Sequence, residues 1–389
     1  MYASLYELFD AWFGVQWNFL KLLHTFGAMM AISFLAAAWI LSKELHRKED
    51  QGLLKPWPTD NWVGKKATTS EMIEAFALAF ILFYKLVYIV LNFTEFRTDP
   101  QATLISLKGN IIGGLIAGGL YAFLSYRDKE RKRLPDPKLE TNLMHPYQLV
   151  GNITLIAAIG GIIGAKLFDA LENYEDFFQN PAMIFSSSGL TVYGGLIVGA
   201  ISVLVYAKKK GIPLLHLVDA AAPAMILAYA VGRIGCQIAG DGDWGIPNPN
   251  PMPHAISFLP NWMWSFGYPH NVNHSGIPIP GCVGEYCTVL SPGVYPTPFY
   301  ETVMGTIIFF LLWSMRKKIH APGVLFCWYL IFNGIERFTI ELIRVNIQYH
   351  IFGIGITQAQ IIAPIFFILG VIGIFYFTKK AKNNAHQAA

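Results

Sequence analysis

The sequence predicts an all-α polytopic integral membrane protein with about nine transmembrane helices, the N-terminus outside and the C-terminus cytoplasmic. Three observations predict it. First, 54% of the 389 residues are hydrophobic and 14% charged, whereas an ordinary soluble domain carries about 25% charged residues; mean hydropathy is +0.41. Second, apolar stretches of roughly the 20 residues needed to cross a bilayer recur along the whole chain. Third, Lys and Arg concentrate in alternate loops, the pattern of the positive-inside rule. The net charge of +4 is thereby a topology signal and gives no support to nucleic-acid binding.

Taken in order, the spans are expected near 17–41, 71–92, 104–126, 147–170, 189–207, 216–238, 297–315, 322–343 and 356–378. Nothing basic precedes Lys21 and no small-residue cleavage site follows the first apolar run, so the first span is expected to be retained. The loop after it holds Lys43, Arg47, Lys48, Lys55, Lys65 and Lys66, which places it in the cytoplasm. Only Arg97 lies between the second and third spans, which puts that loop outside. Arg127, Lys129, Arg131, Lys132, Arg133 and Lys138 then make a cytoplasmic linker, 127–138, with Pro135 and Pro137. The fourth-to-fifth loop has no Lys or Arg, and Lys208 to Lys210 close the fifth span. Residues 238–296 form a long outward loop rich in Pro, Gly, Asn and aromatics; its run Pro247 to Pro253 cannot continue a helix. Arg316 to Lys318, and Lys379, Lys380 and Lys382, mark the last cytoplasmic ends. The whole of 1–389 reads as one membrane domain.

Cys282 and Cys287 share the outward loop, where an oxidising compartment would let them pair, while Cys236 and Cys327 lie in apolar runs as packing residues. Gly113-Gly114 reads as a close helix-packing patch.

Four constellations could carry chemistry. The stretch Gly334 to Arg344 puts Glu336, Arg337, Glu341 and Arg344 at the end of an apolar run that starts near Gly323. Charge inside a membrane costs about 3 kcal/mol or more per group and usually marks a site. On a helix, Arg337 and Glu341 are i,i+4 and Glu341 and Arg344 are i,i+3, so the three would share one face. Two guanidiniums around one carboxylate leave a positive stripe that suits a lipid phosphate. The second constellation is Gly232 to Gly245: Arg233 and Gln237 are i,i+4 near the outer end of the sixth span, and Asp241 and Asp243 follow on a glycine-rich turn. The third, Pro296 to Glu301, opens the seventh span with Tyr300 and Glu301; the fourth, Tyr193-Gly194-Gly195, opens the fifth with a phenol. Lys166, with Asp169 three residues on, lies in the fourth span. By the expected topology all of these except Lys166 lie toward the outer face, as a water-restricted pocket rich in cations for a phospholipid headgroup.

At these residues the chain resembles the prolipoprotein diacylglyceryl transferase family. Gly232-Arg233-Ile234-Gly235 followed by Asp243-Trp244-Gly245 matches one signature, and Arg337, Glu341 and Arg344 match an Arg-x-x-x-Glu-x-x-Arg. Pro296 to Glu301 and Gly194-Gly195-Leu196 match two more, in the same order along the chain. The chain departs from the family at Tyr193, where His is usual, at Cys236, where Asn is usual, and at Asp241-Gly242-Asp243, where a Glu is typical. Ile162 stands where an Arg is expected, with Lys166 one turn on. Two spans have no counterpart in the usual seven-span enzyme, so 67–140 reads as a two-helix insertion plus its basic linker.

The resemblance implies transfer of the diacylglyceryl group of phosphatidylglycerol to the lipobox cysteine of a prolipoprotein, the first step of bacterial lipoprotein maturation. A thioether forms and glycerol phosphate leaves. It implies the bacterial inner membrane, with the active site toward the periplasmic leaflet and membrane lipids as further partners. Arg233 and Arg337 are expected to hold the phosphate, with Glu341 fixing Arg337 and Arg344; Gln237, Gly194, Gly195, Tyr300, Glu301 and Lys166 are expected to complete the lipid site. The acceptor thiol, of pKa about 8.5, must lose its proton. Tyr193, a phenol of pKa about 10, cannot take it unless cations depress that value, so it is expected to position the headgroup and leave Asp241 or Asp243 as base. No cofactor and no metal is expected: His254, His270 and His274 share the outer loop without a usual ligand spacing. A lipid or solute transporter, with its charges near mid-membrane, and an inactive lipoprotein-binding protein are the alternatives.

Overall fold

The structure is a computed structural model that describes residues 1–98, 103, 106–180, 191–346, 349–351 and 354–388. The expected starts of the third span, at 104, and of the fifth, at 189, lie outside the described residues. The chain is mostly helical: α1 (Leu5–Phe13), α2 (Thr25–Asp50), α3 (Thr69–Leu91), α4 (Phe93–Thr98), α5 (Ile111–Arg131), α6 (Val150–Glu172), α7 (Tyr174–Gln179), α8 (Val192–Lys209), α9 (Leu214–Ala239), α10 (Thr297–Met315), α11 (Val324–Glu341) and α12 (Gln358–Ala388). Among the described residues seven helices are long and apolar enough to cross a membrane: α2, α3, α6 with the turn before it, α8, α9, α10 and α12. The other two expected spans are helices as well. However, α11 carries Glu336, Arg337 and Glu341, and α5 ends in Arg127-Asp128-Lys129-Glu130-Arg131.

The chain divides into two compact units, 1–54 with 210–389, and 55–209. In the first, α9 packs against α2 and α10, and α11 against α12. The first span begins later than the expected residue 17. Ser4 and Glu7 form a capping box that starts α1, and Gly14 ends it in the left-handed conformation. A 3-10 turn, Asn18–Leu22, follows, so the membrane-length helix starts at Thr25 and extends to Asp50. Lys43, Arg47 and Lys48 therefore ride on the helix rather than in a loop. There, Glu44 is buried and takes Arg47 at 2.7 Å and Arg316 Nε at 2.7 Å.

The long segment between Ala239 and Thr297 is held by isolated bridges, Gly245↔Arg344, Pro247↔Val294 and Phe266↔Val294, around a small core of Trp244, Tyr268 and Val294. Cys282 and Cys287 are disulfide-bonded, and Cys236 and Cys327 are free and buried.

In the second unit α3 pairs with α5 and α6 with α8. Side chains at Gly113, Gly114 and Gly118 would strike Val87, Phe80 and Phe76 on α3, and one at Gly164 would strike Val198 and the Gly194 carbonyl. Small residues set both close approaches. The ends of the α3–α5 excursion meet in a two-stranded antiparallel ribbon, β1 (Trp57–Val63) on β2 (Lys138–Met144). The basic residues of these segments predict plain connections, and the pairing of the two strands is not expected from the sequence.

Candidate active site

The helix α9 brings Arg233 to its C-terminal end, and Gly240 stops that helix in the left-handed conformation. A second glycine with positive φ, Gly242, turns the chain back, so that Asp243 faces the end of the helix it has just left. The backbone of Asp243 is fixed from α10, where Thr297 Oγ1 donates to its carbonyl at 2.7 Å. Glu301, one turn into α10, is fully buried.

Arg344 completes the group by a route that the periodicity did not predict. The helix α11 ends at Glu341, and the chain then runs as a short bridge beside Gly245, with Ile246 N donating to Ile343 O at 2.8 Å. A side chain at Gly245 would collide with the Ile343 carbonyl, so this position needs glycine. The bridge swings Arg344 away from the Arg337 face. Glu341 instead pairs with Arg337 at 3.2 Å and accepts from Asn346 at 2.7 Å.

The result is a closed ring of alternating charge. Arg233 binds Asp243 Oδ2 through one terminal nitrogen and Glu301 Oε2 through Nε; Arg344 binds Asp243 Oδ1 through one terminal nitrogen and Glu301 Oε1, at 3.2 Å, through the other. Each carboxylate is thus bridged by both guanidiniums. Each guanidinium serves both carboxylates with separate nitrogens, which the planar fork of Arg permits and a Lys ammonium does not. Two cations and two anions balance, so the expected net positive stripe of Arg337, Glu341 and Arg344 is replaced by a neutral ring built from Arg233 and Arg344.

Three further groups join the ring: Tyr229, Glu336 and Cys236. Tyr229, one turn before Arg233 on α9, donates its hydroxyl to Glu301 Oε2 at 2.6 Å and lies 3.0 Å from Glu336 Oε1. The i−4 spacing from Arg233 was the available signal for Tyr229; Glu336 was in view only as part of the charged stretch on α11. Cys236 places its sulfur 3.5 Å from Asp243 Oδ2 and 3.8 Å from Arg233.

Asp241 and Asp243 stand in contrasting electrostatic positions. Burial raises the Asp241 carboxyl above its ordinary value, and the neighbouring charge of Asp243 raises it further. Burial pushes Asp243 up too, but Arg233 and Arg344 outweigh it and hold its carboxyl below the ordinary value. Asp241 is therefore the better proton acceptor near neutrality and Asp243 the better permanent anion. Cys236, Asp241 and Asp243 bring a sulfur and two carboxylate oxygens within 4.8 Å of one another. With both oxygens of Asp243 already taken by guanidiniums, that trio is a poor cradle for a cation.

Of the other expected site residues, Gln237 faces the segment between α9 and α10, where it accepts from Tyr268 at 2.7 Å, and Tyr300 donates to Met263 O at 2.6 Å. Tyr300 also lines an apolar cavity of about 630 Å³ with Leu259, Met263, Trp264, Phe299 and Val303. Tyr193, Gly194, Gly195 and Lys166 belong to the second unit, where Gly194 packs on Gly164 and Phe168 and Lys166 is buried on α6.

Residues 137–376 match the family model for prolipoprotein diacylglyceryl transferase. A phosphatidylglycerol--prolipoprotein diacylglyceryl transferase of Clostridium tetani is 29% identical over 276 residues, covering 70% of this chain and 94% of the relative. One from Dehalococcoides mccartyi is 28% identical over 297 residues, 74% of this chain and 97% of the relative. One from Clostridium botulinum is 30% identical over 235 residues, 60% of this chain and 82% of the relative.

Proposed function

This chain belongs to the prolipoprotein diacylglyceryl transferase family, and from that premise we propose how its own residues carry the reaction. The protein is a multi-pass membrane transferase that moves the diacylglyceryl group of phosphatidylglycerol to the cysteine thiol of a prolipoprotein, forming a thioether and releasing glycerol phosphate. It works in the bacterial inner membrane with the ring facing the periplasmic leaflet, and it reads the lipobox around the acceptor cysteine.

The charge ring carries this reading. The two non-bridging oxygens of a phosphodiester can each accept from a guanidinium, and Arg233 and Arg344 already hold two bridging carboxylates between them. Of the two carboxylates, Glu301 is locked in a helix with no exposure, whereas the Asp243 side chain is 31% exposed on a glycine turn. The lipid phosphate takes the place of Asp243 between the two arginines, which then stabilise charge on the departing phosphate. Arg337, held by Glu341, remains a further phosphate contact. Asp241, with its raised carboxyl, takes the proton from the acceptor thiol. The sulfur attacks the glyceryl carbon that bears the phosphate ester, the C–O bond breaks, and its electron pair stays on the phosphate oxygen.

The test is a transfer assay with purified protein, phosphatidylglycerol and a lipobox peptide, read by peptide mass. The wild type is expected to add one diacylglyceryl mass to the peptide cysteine and none to a Cys→Ala peptide. Arg233→Ala and Arg344→Ala should abolish the gain with expression intact; retained transfer by both variants refutes the ring as the phosphate site.

A further inference from the structure

We propose that Glu336 is the proton store of the reaction, feeding the departing phosphate through Tyr229 and Glu301; this rests on the transfer reading above. Glu336 is 1% exposed, and Glu301 is 0% exposed. Both put a carboxylate oxygen against one phenol, at 3.0 Å and 2.6 Å. That phenol has a single proton. It can satisfy one carboxylate, so a second proton must sit between Tyr229 and the other.

The geometry says which carboxylate carries it. Glu301 holds Arg233 and Arg344 on its two oxygens, so it is the anion of the pair. Its 2.6 Å contact with Tyr229 has the length of a hydrogen bond from a hydroxyl to a charged oxygen. The 3.0 Å contact of Glu336 has the length of a neutral one. Among the described residues nothing donates to the other oxygen of Glu336, Oε2, which is buried. A buried anion with an unserved oxygen is costly, and the neutral acid is not. The facing groups agree with this order: Tyr229 and Arg233 on α9, Glu301 on α10, and Tyr329 and Arg337 on its own helix. From α12 the packing at Gly334 is made by Ala363 and Phe367, which carry no charge. The chain of donors thus runs one way, from the Glu336 acid to the Tyr229 hydroxyl to the Glu301 carboxylate.

In the reaction the thiol proton goes to Asp241 and the C–S bond forms as the C–O bond breaks. The phosphate oxygen that receives the electron pair takes a proton relayed through Glu301, Tyr229 gives its own to Glu301, and Glu336 gives its own to Tyr229. Glycerol phosphate leaves as a monoanion. Asp241 then holds the proton that Glu336 has lost, and its return through water resets the site. Glu336 touches no reacting atom and acts through Tyr229.

The decisive variant is Glu336→Gln, in which an amide N–H replaces the acid O–H and the packing and the bond to Tyr229 survive. A structural role predicts full activity for this variant. Proton storage predicts a kcat lower by about a hundredfold, with the KM for phosphatidylglycerol within twofold, and loss of the alkaline limb of the wild-type pH profile. The sign follows from the acid being the active form, so wild-type activity falls as pH rises through its titration. Tyr229→Phe should show the same loss of kcat. Infrared difference spectra of the resting protein give a readout apart from turnover: the carbonyl stretch of a buried carboxylic acid should be present in wild type and absent in Glu336→Gln. Full kcat in Glu336→Gln overturns the proposal while wild-type transfer upholds the family reading. An absent acid band overturns it whatever the transfer assay gives. A wild type with no transfer but with the band refutes the reaction role and leaves only a buried acid.

Discussion

At the scale of single residues, the ring separates two arginines that the sequence made look alike. Arg337 and Arg344 both belong to the charged end of the eighth expected span, but only Arg344 bridges Asp243 and Glu301. Bridging needs two nitrogens at a fixed angle, so Arg344→Lys should lower kcat/KM for phosphatidylglycerol by tenfold or more, a loss of about 1.4 kcal/mol in transition-state binding. Arg337→Lys, which keeps a cation beside Glu341, should cost less than half of that energy; equal losses in a side-by-side transfer assay would contradict the ring. Asp241 sets the acid limb. Burial and the Asp243 charge raise its carboxyl, so as a base it is active above that raised value and lost as pH falls through it. The acid limb of kcat should lie above the ordinary carboxylate range, and Asp241→Asn should remove it along with about a hundredfold in rate. Asp243 runs the opposite way. Its lowered carboxyl adds stability that is present above the unfolded value of about 3.9 and vanishes as pH falls. Arg233, Asp243, Glu301 and Arg344 were all legible as site residues because charge at the end of an apolar run is rarely idle. Their pairing was not legible, since it depends on where α11 stops.

At the scale of elements, that stop is the main departure from periodicity. The i,i+3 spacing of Glu341 and Arg344 reads as one helical face, and the run stays apolar through Ile343. The helix nevertheless yields after Glu341 to a bridge with Gly245, because Ile246 N and the Ile343 carbonyl satisfy each other there. A contact about a hundred residues distant has overridden a local pattern. The other end of α11 shows the same principle. Gly323, in the left-handed conformation, opens the helix without a side-chain cap of its own. Asp219, buried on α9, supplies one from a distance: its two oxygens accept from Gly323 N at 2.8 Å and Phe326 N at 2.9 Å. A carboxylate on the first N–H groups of a helix satisfies orphan donors and favours the positive end of the dipole. Asp219→Ala should therefore destabilise the protein by about 1–2 kcal/mol, seen as a lower midpoint in detergent thermal melts. Because α11 carries Glu336 and Arg337, that loosening should also raise the KM for phosphatidylglycerol. An unchanged midpoint would show that the cap is redundant.

At the scale of the whole molecule, α3 and α5 lie outside residues 137–376, which match the family model; the sequence reads them as an even-numbered insertion but does not announce the ribbon that joins its ends. The ribbon of β1 and β2 pairs Trp57 with Met144 and Val63 with Lys138. Its residues are mixed, largely exposed and set between helices, so neither strand announces itself by alternation. The pairing has a consequence for what the insertion does. Val63 and Lys138 face each other across the ribbon, so everything from 64 to 137 is an excursion whose ends already meet. Two residues such as Asn-Gly can join paired strands in a tight hairpin. Removing two spans also leaves every later span with its orientation, because the basic clusters Lys208 to Lys210 and Arg316 to Lys318 stay on the side they held. The ring itself draws on residues 229–344 and loses nothing. A chain with 64–137 replaced by Asn-Gly should therefore insert with the same topology and transfer diacylglyceryl within a few-fold of wild type. Cysteine-accessibility mapping and the peptide-mass assay check the two halves of that expectation separately. Correct insertion with transfer abolished would mean that α3 and α5 take part in catalysis, and failed insertion would mean that they guide assembly.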